Sequence, residues 1–330
     1  MNSMKAAILT QYGGPEALQL GQLPKPIPAD NQILVRVRAH SVNYGDVTVR
    51  NFPEAQFNMP SLLWLPSRLA IGWRKPRQPI LGSEFSGEVE AVGQGVTRFK
   101  VGDAVFGYLG QNMGASAEYL CVAEDGLVAL KPANMSHEEA AVLPYGALTA
   151  LTLLRRVDIQ PGQKVLINGA SGGIGSAAVQ LAKHYGAEVT GVCSTERIAF
   201  VKALGADKVI DYTQEDFTES GEAYDVVMDI LGRSSFAQVK KVLKPQGRYL
   251  LASFKMKQVF QMLMTARGGG QKVICALSTE KQNDLVRVKE LAEMGALVSI
   301  IDRRYPLAQI AEAHRYIESG QKQGHIAIQV

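Results

Sequence analysis

Val165-Leu166-Ile167-Asn168-Gly169-Ala170-Ser171-Gly172-Gly173-Ile174-Gly175 is the stretch that decides the fold, and it runs on into Ser176-Ala177-Ala178-Val179-Gln180-Leu181-Ala182-Lys183. The apolar run reads as a buried strand, the glycines as a tight turn and the Ala/Val/Leu spacing as an amphipathic helix. Glycine lets a backbone approach a pyrophosphate closely, and a helix N-terminus turns free N–H groups and a positive dipole end toward anionic phosphate. A second apolar strand, Val189 to Val192, follows within about 20 residues, the context a dinucleotide site requires. Ala170 stands where the usual fingerprint has its first glycine, so a purely structural turn stays open as the alternative.

Working outward, apolar strands alternate with helix-like segments from Gln163 to about Leu277: Lys208-Val209-Ile210, Val226-Val227-Met228, Tyr249-Leu250-Leu251 and Val273-Ile274-Cys275. Near-continuous apolar strands joined by such crossovers predict an α/β, doubly wound parallel sheet covered on both faces. The first third reads differently. Short strands broken by Gly and Pro (Met4 to Leu9, Gln32 to Ala39, Phe85 to Val92, Ala104 to Tyr108, Ala117 to Val122) partly alternate apolar and polar residues, as half-buried antiparallel strands do. Ser136 with Glu139 forms a capping-box pattern ahead of a helix interrupted at Pro144. Beyond the parallel sheet, Asp284 to Met294 reads as helix, Leu297 to Ile301 as strand, Leu307 to Ser319 as helix and Ile326 to Val330 as a last strand. The expected division is a β-rich domain of 1–125 completed by 280–330, and a nucleotide-binding domain of 126–279.

The 330 residues suffice for two cores. Apolar residues make up 46 % and charged residues 20 %, against wholesale disorder and against a polytopic membrane protein. A net charge of +4 from 35 basic and 31 acidic residues is too thin for a nucleic-acid stripe, so no nucleic acid is expected as partner. Cys121, Cys193 and Cys275 are too scattered for a disulfide framework or a zinc knuckle, which fits a reducing cytoplasm. The N-terminus lacks a secretory h-region, and no apolar run reaches the roughly 18 residues of a membrane span.

The choice of dinucleotide rests on the end of the second strand, where an NAD site places an Asp or Glu on the ribose hydroxyls. That strand ends at Val192-Cys193. Cys193 cannot accept hydrogen bonds as a carboxylate does, whereas Ser194, Thr195 and Arg197 offer hydroxyls and a guanidinium suited to a ribose phosphate. NADPH is favoured over NADH, unless a shift of one or two residues makes Glu196 the missing acid.

Together with Val42-Asn43-Tyr44-Gly45-Asp46, Leu81-Gly82-Ser83-Glu84-Phe85-Ser86-Gly87, Val101-Gly102-Asp103-Ala104-Val105-Phe106, Gly146-Ala147-Leu148-Thr149-Ala150 and Leu204-Gly205-Ala206-Asp207, the glycine loop makes the chain resemble the medium-chain dehydrogenase/reductase superfamily, specifically its zinc-independent quinone oxidoreductase branch. The resemblance implies a GroES-like catalytic domain beside a Rossmann domain. It implies Ser171, Gly172, Gly173, Ile174 and Gly175 along the pyrophosphate, and Ser194, Arg197 and Tyr212 around the 2′-phosphate. Leu231, Ser253, Phe254, Thr149 and Asn43 would hold the nicotinamide half, with loop packing as the plainer reading of Leu231, Ser253 and Phe254. Zinc-dependent relatives carry Cys and His at the positions of Asn43 and Ser83, so no metal site is expected, although Glu84 remains.

Without a Lewis acid, reduction of an electrophilic acceptor is the plausible chemistry, and quinones and α,β-unsaturated carbonyls fit. Asn43 and Tyr44 are the expected catalytic donors to a developing oxyanion, against the readings that Asn43 holds its loop and Tyr44 packs in the core. Enoyl or 2-enal reduction and non-catalytic NADPH binding are the alternatives. The apolar segment Pro60 to Arg77 carries both tryptophans. It reads as a substrate wall, as plain packing, or as a weak membrane contact through 61–77. The family also suggests a homodimer pairing through the strand Lys272 to Ala276.

Overall fold

The computed structural model describes residues 3–52 and 64–330. Along the chain, β1 (Ser3–Leu9) and β2 (Leu18–Pro24) precede β3 (Gln32–Val42), α1 (Tyr44–Arg50), α2 (Trp64–Ile71), β4 (Glu84–Val92), β5 (Ala104–Tyr108), β6 (Tyr119–Ala123), β7 (Val128–Leu130) and α3 (His137–Ala141). Next come α4 (Pro144–Leu154), β8 (Lys164–Asn168), α5 (Gly173–His184), β9 (Glu188–Cys193), α6 (Ile198–Ala203), β10 (Lys208–Asp211), β11 (Tyr224–Asp229), α7 (Phe236–Val239), β12 (Leu243–Leu251), α8 (Met256–Thr265) and β13 (Lys272–Cys275). The chain closes with α9 (Gln282–Glu293), β14 (Ile301–Pro306), α10 (Ile310–Glu318) and β15 (His325–Gln329).

Two units result: 3–52, 66–145 and Lys281–Val330 form one, 64–65 and Gly146–Glu280 the other. The first break comes later than the 125/126 expected from composition, because β7 pairs with β5 and keeps the following segment with the β-rich unit. In that unit a seven-stranded sheet runs β14-β15-β3-β4-β5-β7, with β6 also paired to β3. Alternation along β3 sends Ile33, Val35 and Val37 into a core with Phe85, Val89 and Val105. On α10, Ile310, Ala313 and Ile317 pack with Val42, Val47 and Leu81, which is why the C-terminal segment completes this unit. Asp302-Arg303-Arg304 lies within β14, so that strand starts where the expected Leu297–Ile301 strand was to end. Apolarity pointed to Leu297, whose side chain is buried outside any strand.

The second unit holds six parallel strands in the order β10-β9-β8-β11-β12-β13, the dinucleotide-binding order that reverses direction between β8 and β11. Val165, Leu166, Ile167, Val226, Val227 and Met228 are fully buried, as strands covered on both faces must be. At its β13 edge, where the expected homodimer contact lies, two backbone N–H groups already have partners within the unit. The outward N–H of Val273 donates to Thr265 Oγ1 at 3.0 Å and that of Cys275 to Met262 Sδ at 3.4 Å. α8 therefore caps this edge strand with side-chain acceptors. Among the described residues no helix is long and apolar enough to cross a membrane.

In the first unit the last turns of α1 and α10 are tied by an ion pair between Arg50, wholly buried, and Glu318, which keeps some exposure. His314 on α10 is also wholly buried, and burial together with the Arg50 charge holds its imidazole well below the usual range. Removing Glu318 leaves the guanidinium without its counter-charge. Glu318→Ala is expected to cost about 2 kcal/mol, less than a fully buried pair because water reaches the carboxylate. Urea unfolding checks this, and an unchanged midpoint would contradict it.

Candidate active site

The turn between β8 and α5 is built around one close approach. A Cβ on Gly175 would lie 2.0 Å from the Gly169 carbonyl oxygen and 2.8 Å from Ala170, so only glycine lets the first turn of α5 settle onto the end of β8. Gly169 itself sits at φ +93°, in the left-handed region. Gly172 caps α5 in an extended conformation without a side-chain cap, and no acidic residue stands in the first turn. A Cβ at Gly172 would meet only the Gly169 oxygen, at 3.8 Å, so the approach to the cap is open. Buried Ser171 leads into it, with Gly173 and Ile174 following. This is a helix N-terminus shaped for an anion, and its residues fit the dinucleotide expected there.

At the neighbouring strand ends, the Tyr212 N–H donates to the Cys193 carbonyl at 3.1 Å, which draws the loops after β9 and β10 together. Ser194, Arg197 and exposed Tyr212 are thereby grouped. β9 ends at Cys193, and Glu196 lies beyond it within a single 3-10 turn, Thr195–Arg197, so the strand's last position holds no carboxylate. Burial, with the Asp211 charge, pushes the Cys193 thiol up to about 11 and keeps it neutral. Asp211 lies in the Val209-Ile210-Asp211-Tyr212 motif, and its sequence context alone assigns it no site role. Its carboxylate accepts from the Thr195 hydroxyl, from Thr213 N at 2.9 Å and from Thr213 Oγ1 at 2.7 Å, bonds that hold it below the usual carboxylate range. The signal available was an Asp at a strand end followed two residues on by Thr.

Where the sheet order reverses, Asn168 Nδ2 donates to Asp229 Oδ1 at 3.2 Å. Wholly buried Asp229 also accepts from Gly232 N and Ser234 N, each at 3.0 Å, and from the Tyr249 hydroxyl at 3.0 Å. These bonds fix the loop that carries Leu231, whose side chain stands beside Gly169. Ser253 is partly buried at the end of β12, and Thr149 is buried on α4. Phe254 packs into the core with Tyr249 and Val273.

In the first unit, Asn43 is the N-cap of α1. Its Oδ1 accepts from Gly45 N at 2.8 Å and Asp46 N at 3.3 Å, and its own N–H donates to Asp46 Oδ2 at 2.8 Å. Its amide Nδ2 donates to Ser83 Oγ at 2.9 Å and Glu84 Oε2 at 3.2 Å. The amide nitrogen thus has two acceptors inside the unit, so Asn43 joins the start of α1 to the Ser83-Glu84 segment. Glu84 further accepts from the Ser41 hydroxyl and from Tyr145 N at 2.6 Å. Tyr44, at the first position of α1, is 68 % exposed, so the core-packing reading of it fails. In the apolar segment, 60–63 lie outside the described residues. Arg68 is buried with its guanidinium 5.1–5.5 Å from the Tyr12, Phe52 and Trp73 rings.

Asp46 and Glu84 are both almost wholly buried, and burial raises each to about 7, with the Glu84 charge a further cause at Asp46. The folded protein therefore keeps protons on these carboxyls that the unfolded chain releases between about pH 4 and pH 7, a contribution that favours folding at the acid end. Buried His40, lowered to about 4 by burial, works the other way, because unfolding lets it take up a proton below about pH 6.5. Glu84→Gln removes part of the opposing contribution. Its stability, measured by urea melts, should fall more steeply than wild type from pH 7.5 to 4, by on the order of 3 kcal/mol at most. An equal or shallower fall would contradict the assignment.

Residues 29–132 match the Alcohol dehydrogenase GroES-like domain family, and 204–328 match the family described as Zinc-binding dehydrogenase. The chain is 30 % identical to an NADPH-dependent alkenal/one oxidoreductase of Arabidopsis thaliana, over 98 % of this chain and 79 % of that one. It is likewise 30 % identical to a 2-methylene-furan-3-one reductase of Solanum lycopersicum, over 99 % and 79 %. The structure of a quinone oxidoreductase from Coxiella burnetii superposes with a TM-score of 0.86 at 30 % identity, covering 99 % of both chains. The zinc named in one family description does not fit the residues present. The Asn43 amide and Ser83 hydroxyl beside Glu84 are poor zinc ligands, and among the described residues no three His, Cys, Asp or Glu gather into a metal site. With both domain families matched and reductase relatives aligned nearly end to end, the chain belongs to the medium-chain dehydrogenase/reductase superfamily of oxidoreductases, in its quinone oxidoreductase-like branch.

Proposed function

We propose that the protein is an NADPH-dependent, zinc-independent reductase that acts on a quinone or on an α,β-unsaturated carbonyl compound. The observation that carries this reading is the end of β9: a neutral buried thiol at Cys193 where a ribose-binding carboxylate would stand, with Ser194, Arg197 and Tyr212 grouped beside it. NADPH, when bound, supplies the hydride. The α5 N-terminus and the Ser171–Ile174 backbone hold the pyrophosphate, and Arg197 meets the 2′-phosphate through charge-assisted hydrogen bonds. Asp229 keeps the Leu231 loop in place. Quinones and enones share a carbonyl conjugated to a C=C bond, so both leave an oxyanion that needs a donor. Tyr44, exposed at the start of a helix pinned by the Asn43 cap, is the residue free to offer its hydroxyl as donor or proton source. The relatives named as an alkenal/one oxidoreductase, a 2-methylene-furan-3-one reductase and a quinone oxidoreductase support this shared acceptor unit.

Calorimetry with Arg197→Ala should show NADPH bound roughly tenfold to a hundredfold more weakly and NADH unaltered. Equal losses for both would defeat the phosphate assignment. Tyr44→Phe should lower kcat by roughly a hundredfold while leaving NADPH affinity alone. Product analysis with a panel of quinones and enones then distinguishes hydroquinone from a saturated C=C bond, and NADPH binding without turnover across the panel would overturn the reductase reading.

A further inference from the structure

Fifty residues, Ile230 to Thr279, carry nine Lys and Arg and no Asp or Glu, in a chain whose net charge is only +4. Within that stretch lies α8, which turns Met262 and Thr265 inward to cover the edge of β13. Its other face is exposed. Met256, Phe260, Leu263 and Met264 follow one another at helical spacing, and Phe260, Leu263 and Met264 are each more than 60 % exposed. Lys255, Lys257, Arg267 and Lys272 border this stripe, all exposed, and none forms an ion pair among the described residues. Large exposed apolar side chains on one helix face mark a contact surface.

We propose that the outer face of α8 docks on an anionic lipid surface, with the apolar stripe entering the headgroup region and the lysines and arginine meeting lipid phosphate and carboxylate groups. Charge selects this occupant over a second copy of the chain. A two-fold contact would bring the same patch against itself and set cation against cation, with no carboxylate in the segment to answer it. An apolar stripe with a basic border is the pattern of helices that lie in a bilayer interface. The surface is distinct from 61–77, and it concerns where the protein resides rather than what it reduces. Its readout is vesicle binding, so it can fail while the reductase reading stands, and the reverse.

Co-sedimentation tests it, using the full chain with vesicles of phosphatidylcholine alone and of phosphatidylcholine with about 30 % phosphatidylserine, at about 0.1 M salt. The protein should pellet with the anionic vesicles and stay in solution with the neutral ones. Phe260→Glu with Leu263→Glu should reduce the bound fraction about tenfold or more. Lys257→Glu with Arg267→Glu, which leaves the apolar stripe whole, should also reduce it, and both variants should keep the wild-type melting curve and NADPH affinity. Failure to pellet with anionic vesicles, equal pelleting with neutral ones, or binding that survives both double variants would overturn the proposal. A dimer in light scattering that Phe260→Glu with Leu263→Glu dissociates, without vesicle binding, would assign the face to a second copy.

Discussion

The approach of Gly175 to the Gly169 carbonyl is the constraint on which the nucleotide-binding unit depends. Because no Cβ intervenes, the first turn of α5 lies directly against the end of β8, and its N–H groups open toward the point where the sheet order reverses. That single contact joins chain chemistry to function. It sets the helix axis, and the axis aims the dipole. The neighbouring loops are then fixed by hydrogen bonds of the same kind: the Tyr212 N–H to the Cys193 carbonyl on one side, and Asp229 gathering Asn168, Gly232, Ser234 and Tyr249 on the other.

The β-rich unit solves a different problem. It buries two carboxyls, Asp46 and Glu84, and meets them with backbone and amide donors, using Asn43 as the bridge. Both carboxyls titrate near neutrality as a result of that burial. The arrangement places Tyr44 at the surface on a rigid helix start, the kind of mounting a positioned donor requires.

Much of this was legible in the sequence because it is written in periodicity. Continuous apolar strands and the glycine turn announced the parallel sheet, and alternation along Gln32 to Ala39 announced β3. What escaped is written in contacts. β14 carries Asp302-Arg303-Arg304 and so lacks any strand-like apolar pattern; its pairing with β15 makes it a strand. The commitment of the Asn43 amide depends on Ser83 and Glu84, some forty residues away, which spacing cannot reveal. Phe254 sits in a motif position yet packs inward, and the cover of β13 by α8 depends on one hydroxyl and one thioether accepting backbone bonds.

A crystal structure of the protein soaked with NADPH tests the central claim most directly. The pyrophosphate is expected at the N-terminus of α5, against the backbone of Ser171 to Ile174, and the 2′-phosphate beside Ser194 and Arg197. A pyrophosphate bound elsewhere, or an adenosine ribose directed away from Arg197, would contradict that claim.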